Sequence, residues 1–124
     1  LIDMAYHARP DAAEEPLRFE AETLASLAMP DTIAMRHRTP HFSHVFSGDG
    51  YSAGYYSYMW SEVLDADAFS AFEETGDPFN PELAERLKKN IYSAGGSKDP
   101  EQLYTAFRGK MPTADAMMVK RGLV

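Results

Sequence analysis

Cysteine is absent from this 124-residue chain. That removes disulfides, thiolate nucleophiles and cysteine-type zinc sites together, and it suits a reducing compartment, the cytoplasm. No apolar run approaches the length that crosses a bilayer. The opening LIDMAYHARPD has neither the basic start nor the apolar stretch of a secretory signal. Basic residues are missing from the middle of the chain. Between Arg38 and Arg86 there is no lysine or arginine, while nine acids (Asp49, Glu62, Asp65, Asp67, Glu73, Glu74, Asp77, Glu82, Glu85) lie there. Such a segment repels a phosphate backbone and argues against nucleic acid as a partner. It could draw in basic peptides, but a solvated face is the commoner meaning of an acidic run. Strand-like alternation and internal repeats are lacking too.

What is present is enough for one domain with a core: 44% hydrophobic and 25% charged residues, with a formal net charge of -7. The pattern is helical almost throughout, and the expected class is all-α. LIDMAYHAR is apolar at Leu1, Ile2, Met4 and Ala5 with no capping residue before it, so it resembles the end of a helix whose start lies elsewhere. After a break at Arg9-Pro10-Asp11, Leu17, Ala21, Leu24, Leu27 and Ala28 fall at helical spacing up to Pro30. Residues 31 to 50 form the one long irregular region, a length usually reserved for functional loops. The longest helix is expected from about Tyr51 to Glu74, closed by Gly76. Asn80-Pro81-Glu82 and Asp99-Pro100-Glu101-Gln102 are start signals for two more helices, and Thr113 is the expected cap of the last, which ends at Lys120-Arg121-Gly122.

The chemistry concentrates in RHRTPHFSHVFSGDGYSAGYYSYMW, residues 36 to 60. His37, His41 and His44 have the residue type of a transition-metal site. Pro40, however, keeps a helix from carrying them on one face, and Arg38 stands where a zinc helix has glutamate. Histidines hydrogen-bonding within a loop are the favoured reading. The Gly48-Asp49-Gly50-Tyr51-Ser52-Ala53-Gly54 run is no phosphate loop: Ala53 replaces the third glycine, no strand precedes it, and Asp49 sits where a pyrophosphate would. On a helix, Tyr51, Tyr55 and Tyr58 make one stripe continued by Glu62 and Phe69, while Tyr56, Trp60 and Val63 make an opposite, apolar side suited to burial. The stripe is either a cleft wall with phenols aimed inward or part of a larger core with its hydroxyls satisfied locally. Spacing alone favours the second.

FSHVFSGDGYSAGYYSYMWSEVLDADAF and IYSAGGSKDPEQLYTAFRGKMPTADAMMVKRGLV resemble the C-terminal signature of the thimet-oligopeptidase and peptidyl-dipeptidase family of zinc metallopeptidases. The resemblance implies a mostly helical enzyme with a channel for short peptides, and a zinc ion held by an H-E-x-x-H helix and a later glutamate. It implies that Tyr58 and Tyr51 face the scissile carbonyl, Tyr58 chiefly stabilising the oxyanion. His44 would bind the substrate backbone, Tyr55 would line the same wall, and Gly48, Gly50 and Gly54 would make the covering loop mobile. No H-E-x-x-H occurs in the chain. The expectation is therefore the C-terminal part of a catalytic domain, with zinc bound by a part of the same parent chain upstream of residue 1. By itself the segment would hold no metal, be inactive, and be open to self-association through apolar surface that the parent covers. The rivals are a stand-alone helical module that binds basic peptides and a three-histidine metal protein.

Overall fold

Helices joined by turns and irregular segments make up the described residues, 1–9 and 15–124, of the computed structural model, and no strand occurs among them. The chain is all-α. In order come α1 (Ile2–Ala8), α2 (Pro16–Ser26), α3 (Ser43–Phe46), α4 (Ser57–Thr75), α5 (Pro81–Leu87), α6 (Pro100–Arg108) and α7 (Asp115–Lys120). Short 3-10 turns at Thr39–His41 and Asp49–Tyr51 flank α3, and a π-helical turn at Lys88–Tyr92 extends α5. Among the described residues no helix is long and apolar enough to cross a membrane. The break expected at Pro10-Asp11 lies outside the described residues.

Local signals explain most helix ends. Asn80 Oδ1 accepts from the Leu83 amide at 2.9 Å, and Asp99 Oδ1 accepts from the Glu101 and Gln102 amides at 2.9 and 3.4 Å. Each satisfies donors that the first helical turn leaves without a partner. The last helix differs by one residue from expectation: its N-cap is Ala114, and the Thr113 hydroxyl donates to the Asp115 carboxylate at 2.7 Å. Helix α2 also ends earlier than Pro30 requires. Ala28 adopts a left-handed φ of 53°, and its amide and that of Met29 bond back to Ala25 and Leu24, a Schellman closure made without glycine. The apolar spacing of α2 misleads as well, for Leu17 and Leu27 are exposed while Phe19 and Glu20 are the buried residues.

Two compact units divide the chain, Leu1–Tyr58 and Met59–Val124. In the first, Ile2, Phe19 and Val45 form a small apolar core. The Tyr6 ring packs on Phe19 and Phe46 at centroid distances of 4.5 and 5.5 Å, and its hydroxyl donates to the Pro16 carbonyl at 3.0 Å. Buried Glu20 ties α2 to the irregular region by accepting from the Thr39 amide and hydroxyl at 2.8 and 2.9 Å and pairing with Arg38 at 2.5 Å. Burial by itself pushes the Glu20 carboxyl up, but these bonds outweigh it and hold the group below its ordinary value. Arg38 is extended, and Thr39 already belongs to the 3-10 turn.

The second unit is built on Phe107, which is fully buried among Ala71, Phe72, Leu83 and Tyr104. A smaller cluster joins Val63 and Ala66 of α4 to Met117 of α7. Tyr104 donates to Asp67 at 2.7 Å, and Arg108 reaches the same carboxylate at 3.3 Å while forking onto Glu74 at 2.5 and 3.0 Å. Lys120 pairs with Asp65 and Arg121 with Glu62. Four of the nine acids of the middle, Glu62, Asp65, Asp67 and Glu74, are therefore matched by cations from the end of the chain. Tyr56 and Trp60, expected to be buried, are 60% and 52% exposed, and only Val63 of that trio is buried. The reason is position along the chain: Tyr56 precedes α4, and Trp60, although on the helical face of buried Val63, Asp67 and Ala71, sits in the first turn of α4. Trp60 instead lines an open groove of about 680 Å³ with Leu64, Phe69, Ile91 and Tyr92.

Because Phe107 fills the centre of the second unit, Phe107→Ala is expected to destabilise it by about 3–5 kcal/mol. Denaturant unfolding followed by far-UV circular dichroism measures this; an unchanged midpoint would contradict the packing described.

Candidate functional site

The tyrosines gather, but not as a helical stripe. Helix α4 begins at Ser57, because the Gly54 amide turns back to the Tyr51 carbonyl at 2.9 Å and Ala53 takes a left-handed φ of 53°. Tyr51 therefore belongs to a 3-10 turn, Tyr55 to the following turn and Tyr58 to the first turn of α4. His44 comes from α3. Four residues from four short pieces of backbone meet in one place.

Their rings pack edge to face. The His44 imidazole stands 4.5 Å from the Tyr51 ring, 5.5 Å from Tyr55 and 5.7 Å from Tyr58, near perpendicular to each. Tyr51 and Tyr58 stack at 5.7 Å with planes 13° apart, and Tyr55 lies 5.0 Å from Tyr58. Phe42 supports Tyr55 from outside at 4.8 Å. Tyr51 and Tyr55 are half-buried, whereas His44 and Tyr58 are exposed, so the polar side of the cluster opens to solvent.

A line of hydrogen bonds runs through it. The Tyr58 hydroxyl donates to the Tyr51 hydroxyl at 3.0 Å and lies 3.0 Å from His44 Nε2. A phenol has one hydrogen. With that hydrogen given to Tyr51, Tyr58 accepts from the imidazole, and the hydrogen of Tyr51 is left for a ligand. The bond to Tyr51, then partial desolvation and the neighbouring phenols, raise the pKa of Tyr58 above its ordinary value. The site thus holds a proton donor at neutral pH, close to a second phenol and an imidazole that also offer N–H or O–H groups.

One residue that builds the site escapes the sequence pattern. Asp3, on α1 and 4% exposed, accepts from the Ala53 amide at 2.9 Å through Oδ1 and from the Tyr55 amide at 3.0 Å through Oδ2. His7 Nδ1 lies 2.9 Å from Oδ1 and 2.8 Å from the Asp3 carbonyl oxygen. These bonds fix Ala53 in a conformation that costs a non-glycine residue roughly 1–2 kcal/mol. The available signal was an acid inside the apolar run of α1 with a histidine four residues on.

The remaining candidates stand apart. Gly48 is extended, and a side chain at Gly48 or Gly50 would meet open space; at Gly54 it would touch the Tyr51 backbone at an ordinary 3.6 Å. Sterics at these positions do not demand glycine. His37 stacks on Phe42 at 5.3 Å, away from the tyrosines, and His41 sits in the 3-10 turn before α3. Among the described residues no three His, Asp or Glu side chains gather as metal ligands. The zinc that the resemblance implies does not fit this residue set: the one histidine in the cluster, His44, spends its Nε2 on Tyr58.

A model of peptidase family M3 matches residues 1–123. The chain belongs to that family. It is 46% identical to oligopeptidase A of Escherichia coli (strain K12) over 126 residues, which cover 99% of this chain and 18% of that protein. To the dipeptidyl carboxypeptidase of Salmonella typhimurium it is 38% identical over 127 residues, again 99% of this chain and 18% of the relative. It is also similar to the probable cytosolic oligopeptidase A of Arabidopsis thaliana, 46% identical over 67% of this chain and 12% of that one. The chain therefore spans under a fifth of the length of these relatives, and its M3 membership agrees with the resemblance carried by its tyrosine and glycine motifs.

Replacing Tyr51 by Phe removes the hydroxyl that holds the Tyr58 hydrogen. The Tyr58 pKa should then fall back toward the ordinary phenol value, visible as an earlier rise of phenolate absorbance on alkaline titration. An unchanged Tyr58 titration would contradict the hydrogen-bond line.

Proposed function

We propose that this chain supplies the substrate-binding and oxyanion-stabilising part of an M3 metallopeptidase that hydrolyses short peptides. The observation that carries the proposal is the line His44–Tyr58–Tyr51, two 3.0 Å contacts on the open side of an aromatic cluster. Attack on a peptide carbonyl turns a neutral oxygen into an oxyanion. A phenol already aimed at a nearby oxygen can exchange that partner for the oxyanion without reorganising, and donors set in place beforehand supply much of the rate enhancement in many hydrolases. Tyr58 is the donor in this reading, Tyr51 the second donor, and His44 holds the substrate backbone once its ring N–H is released from Tyr58. Tyr55 forms the wall, and Gly48, Gly50 and Gly54 let the preceding loop follow the peptide.

Zinc belongs to this reading only as a group held by residues outside the 124, since no H-E-x-x-H is present and no three candidate ligands gather among the described residues. The metal would supply the hydrolytic nucleophile; what this chain contributes is recognition of the carbonyl oxygen. Support for peptide substrates comes from the names of the relatives, oligopeptidases and dipeptidyl carboxypeptidases. A cytoplasmic setting accords with the absence of cysteine and with the name of the Arabidopsis relative.

In the catalytically complete peptidase, Tyr58→Phe is expected to lower kcat by about 10²–10³-fold while KM moves little, because the lost bond forms mainly in the transition state. Steady-state kinetics on a short fluorogenic peptide measure it. Near-normal turnover would contradict the oxyanion role.

A further inference from the structure

Asp3 does more than make the i,i+4 pair with His7 expected of an acid on a helix. Its carboxylate is buried, and both oxygens are used: Oδ1 by the Ala53 amide and His7, Oδ2 by the Tyr55 amide. The two amides flank Gly54 in the turn that separates Tyr51 from α4. One of them belongs to Ala53, whose left-handed backbone an alanine does not choose unaided. The other belongs to Tyr55, itself a member of the aromatic cluster. Helix α1 thus reaches 50 residues along the chain to set the one turn on which the relative placement of Tyr51, Tyr55 and Tyr58 depends. Charge-assisted bonds from a buried carboxylate to backbone N–H groups are the strong kind, and a buried carboxylate with three donors around it has no incentive to move.

We propose that Asp3, steadied by His7, is the positioning residue of the tyrosine site: by holding the Ala53 and Tyr55 amides it brings the Tyr58 hydroxyl within reach of both His44 and Tyr51. Asp3 touches no substrate in this role. The inference rests on the reading of the tyrosines as a carbonyl-facing wall only for its functional meaning; the positioning itself is a statement about the hydrogen-bond line. Alternative roles for Asp3, such as anchoring α1 to its own unit, would leave the turn at 53–55 and the phenols unaffected by changes at Ala53.

The test is made on this chain by nuclear magnetic resonance, with Asp3→Asn as the probe. Asparagine keeps the shape but offers one acceptor and turns an N–H toward an N–H, so one amide bond is lost. Hydrogen exchange at Ala53 and Tyr55 is expected to speed up by about tenfold or more, with loss of the hydrogen-bonded Tyr58 hydroxyl resonance and a shift of His44 Nε2. Exchange at Phe107 should stay unchanged and report an intact second unit. Adding Ala53→Gly to Asp3→Asn should restore the Tyr58 and His44 signals, since glycine takes the left-handed conformation without help. A purely structural Asp3 would not be rescued from that distance. Unaltered Tyr58 and His44 signals in Asp3→Asn, or no rescue by Ala53→Gly, would overturn the proposal. Should Asp3→Asn not fold, through-hydrogen-bond couplings from the Ala53 and Tyr55 amide nitrogens to the Asp3 carboxylate carbon in the unaltered chain decide it: present, they support it; absent, they overturn it. None of these readouts involves turnover, so failure of the oxyanion role in Tyr58→Phe would leave this result standing.

Discussion

Two buried carboxylates hold the first unit in shape, and the candidate site depends on them. The apolar core there is small, essentially Ile2, Phe19 and Val45, and the unit's chain between α2 and α4 runs as turns and one-turn helices. Such backbone has no ladder of its own to satisfy its N–H groups. Asp3 provides acceptors for the turn at Ala53 and Tyr55, and Glu20 provides them for Thr39 beside the Arg38 guanidinium. A carboxylate is suited to the task because it accepts along several directions, and two oxygens can each take a different amide. Taking it out of water is unfavourable unless its partners are in place, so the loops and the carboxylates specify each other.

The chemical consequence is a cluster in which the Tyr51 hydroxyl hydrogen is left uncommitted. Two phenols and an imidazole share one line of hydrogen bonds, with the Tyr58 pKa raised by its bond to Tyr51. An arriving oxygen with developing negative charge would find these donors already converged. Membership of peptidase family M3 gives that geometry a reaction to serve, and the division of labour we propose is between carbonyl recognition here and metal chemistry held by residues outside this chain. The second unit has a different logic: an apolar centre at Phe107 and a charge network in which Asp67, Tyr104, Arg108 and Glu74 interlock.

Local features were legible in the sequence. Asn80 and Asp99 cap their helices as their position before proline predicts, and Gly76 and Gly122 take the left-handed conformations of helix ends. The region from 31 to 50 was recognisable as irregular, although it contains short helical turns. The resemblance singled out the four side chains that the structure brings together, while the helical stripe offered for Tyr51, Tyr55 and Tyr58 was the wrong geometry: their proximity comes from a turn, not from a 3.6-residue period. Asp3, Glu20 and Ala53 were invisible for one reason. Their roles arise from contacts 50 or 19 residues apart, and no periodicity records a partner at that distance. Tyr56 and Trp60 were misjudged because Tyr56 falls before α4, which starts at Ser57, and Trp60 sits in its first turn on an open groove.

The claim that the phenols recognise a tetrahedral oxyanion rather than a planar carbonyl is tested most directly by binding, in the catalytically complete peptidase carrying Tyr58→Phe. Affinity is measured for a phosphinic peptide, which mimics the tetrahedral intermediate, and for the matching planar peptide product. Selective transition-state recognition predicts that phosphinate binding weakens about as much as turnover falls, with product binding nearly unchanged. Equal weakening of both ligands, or of neither, would contradict it.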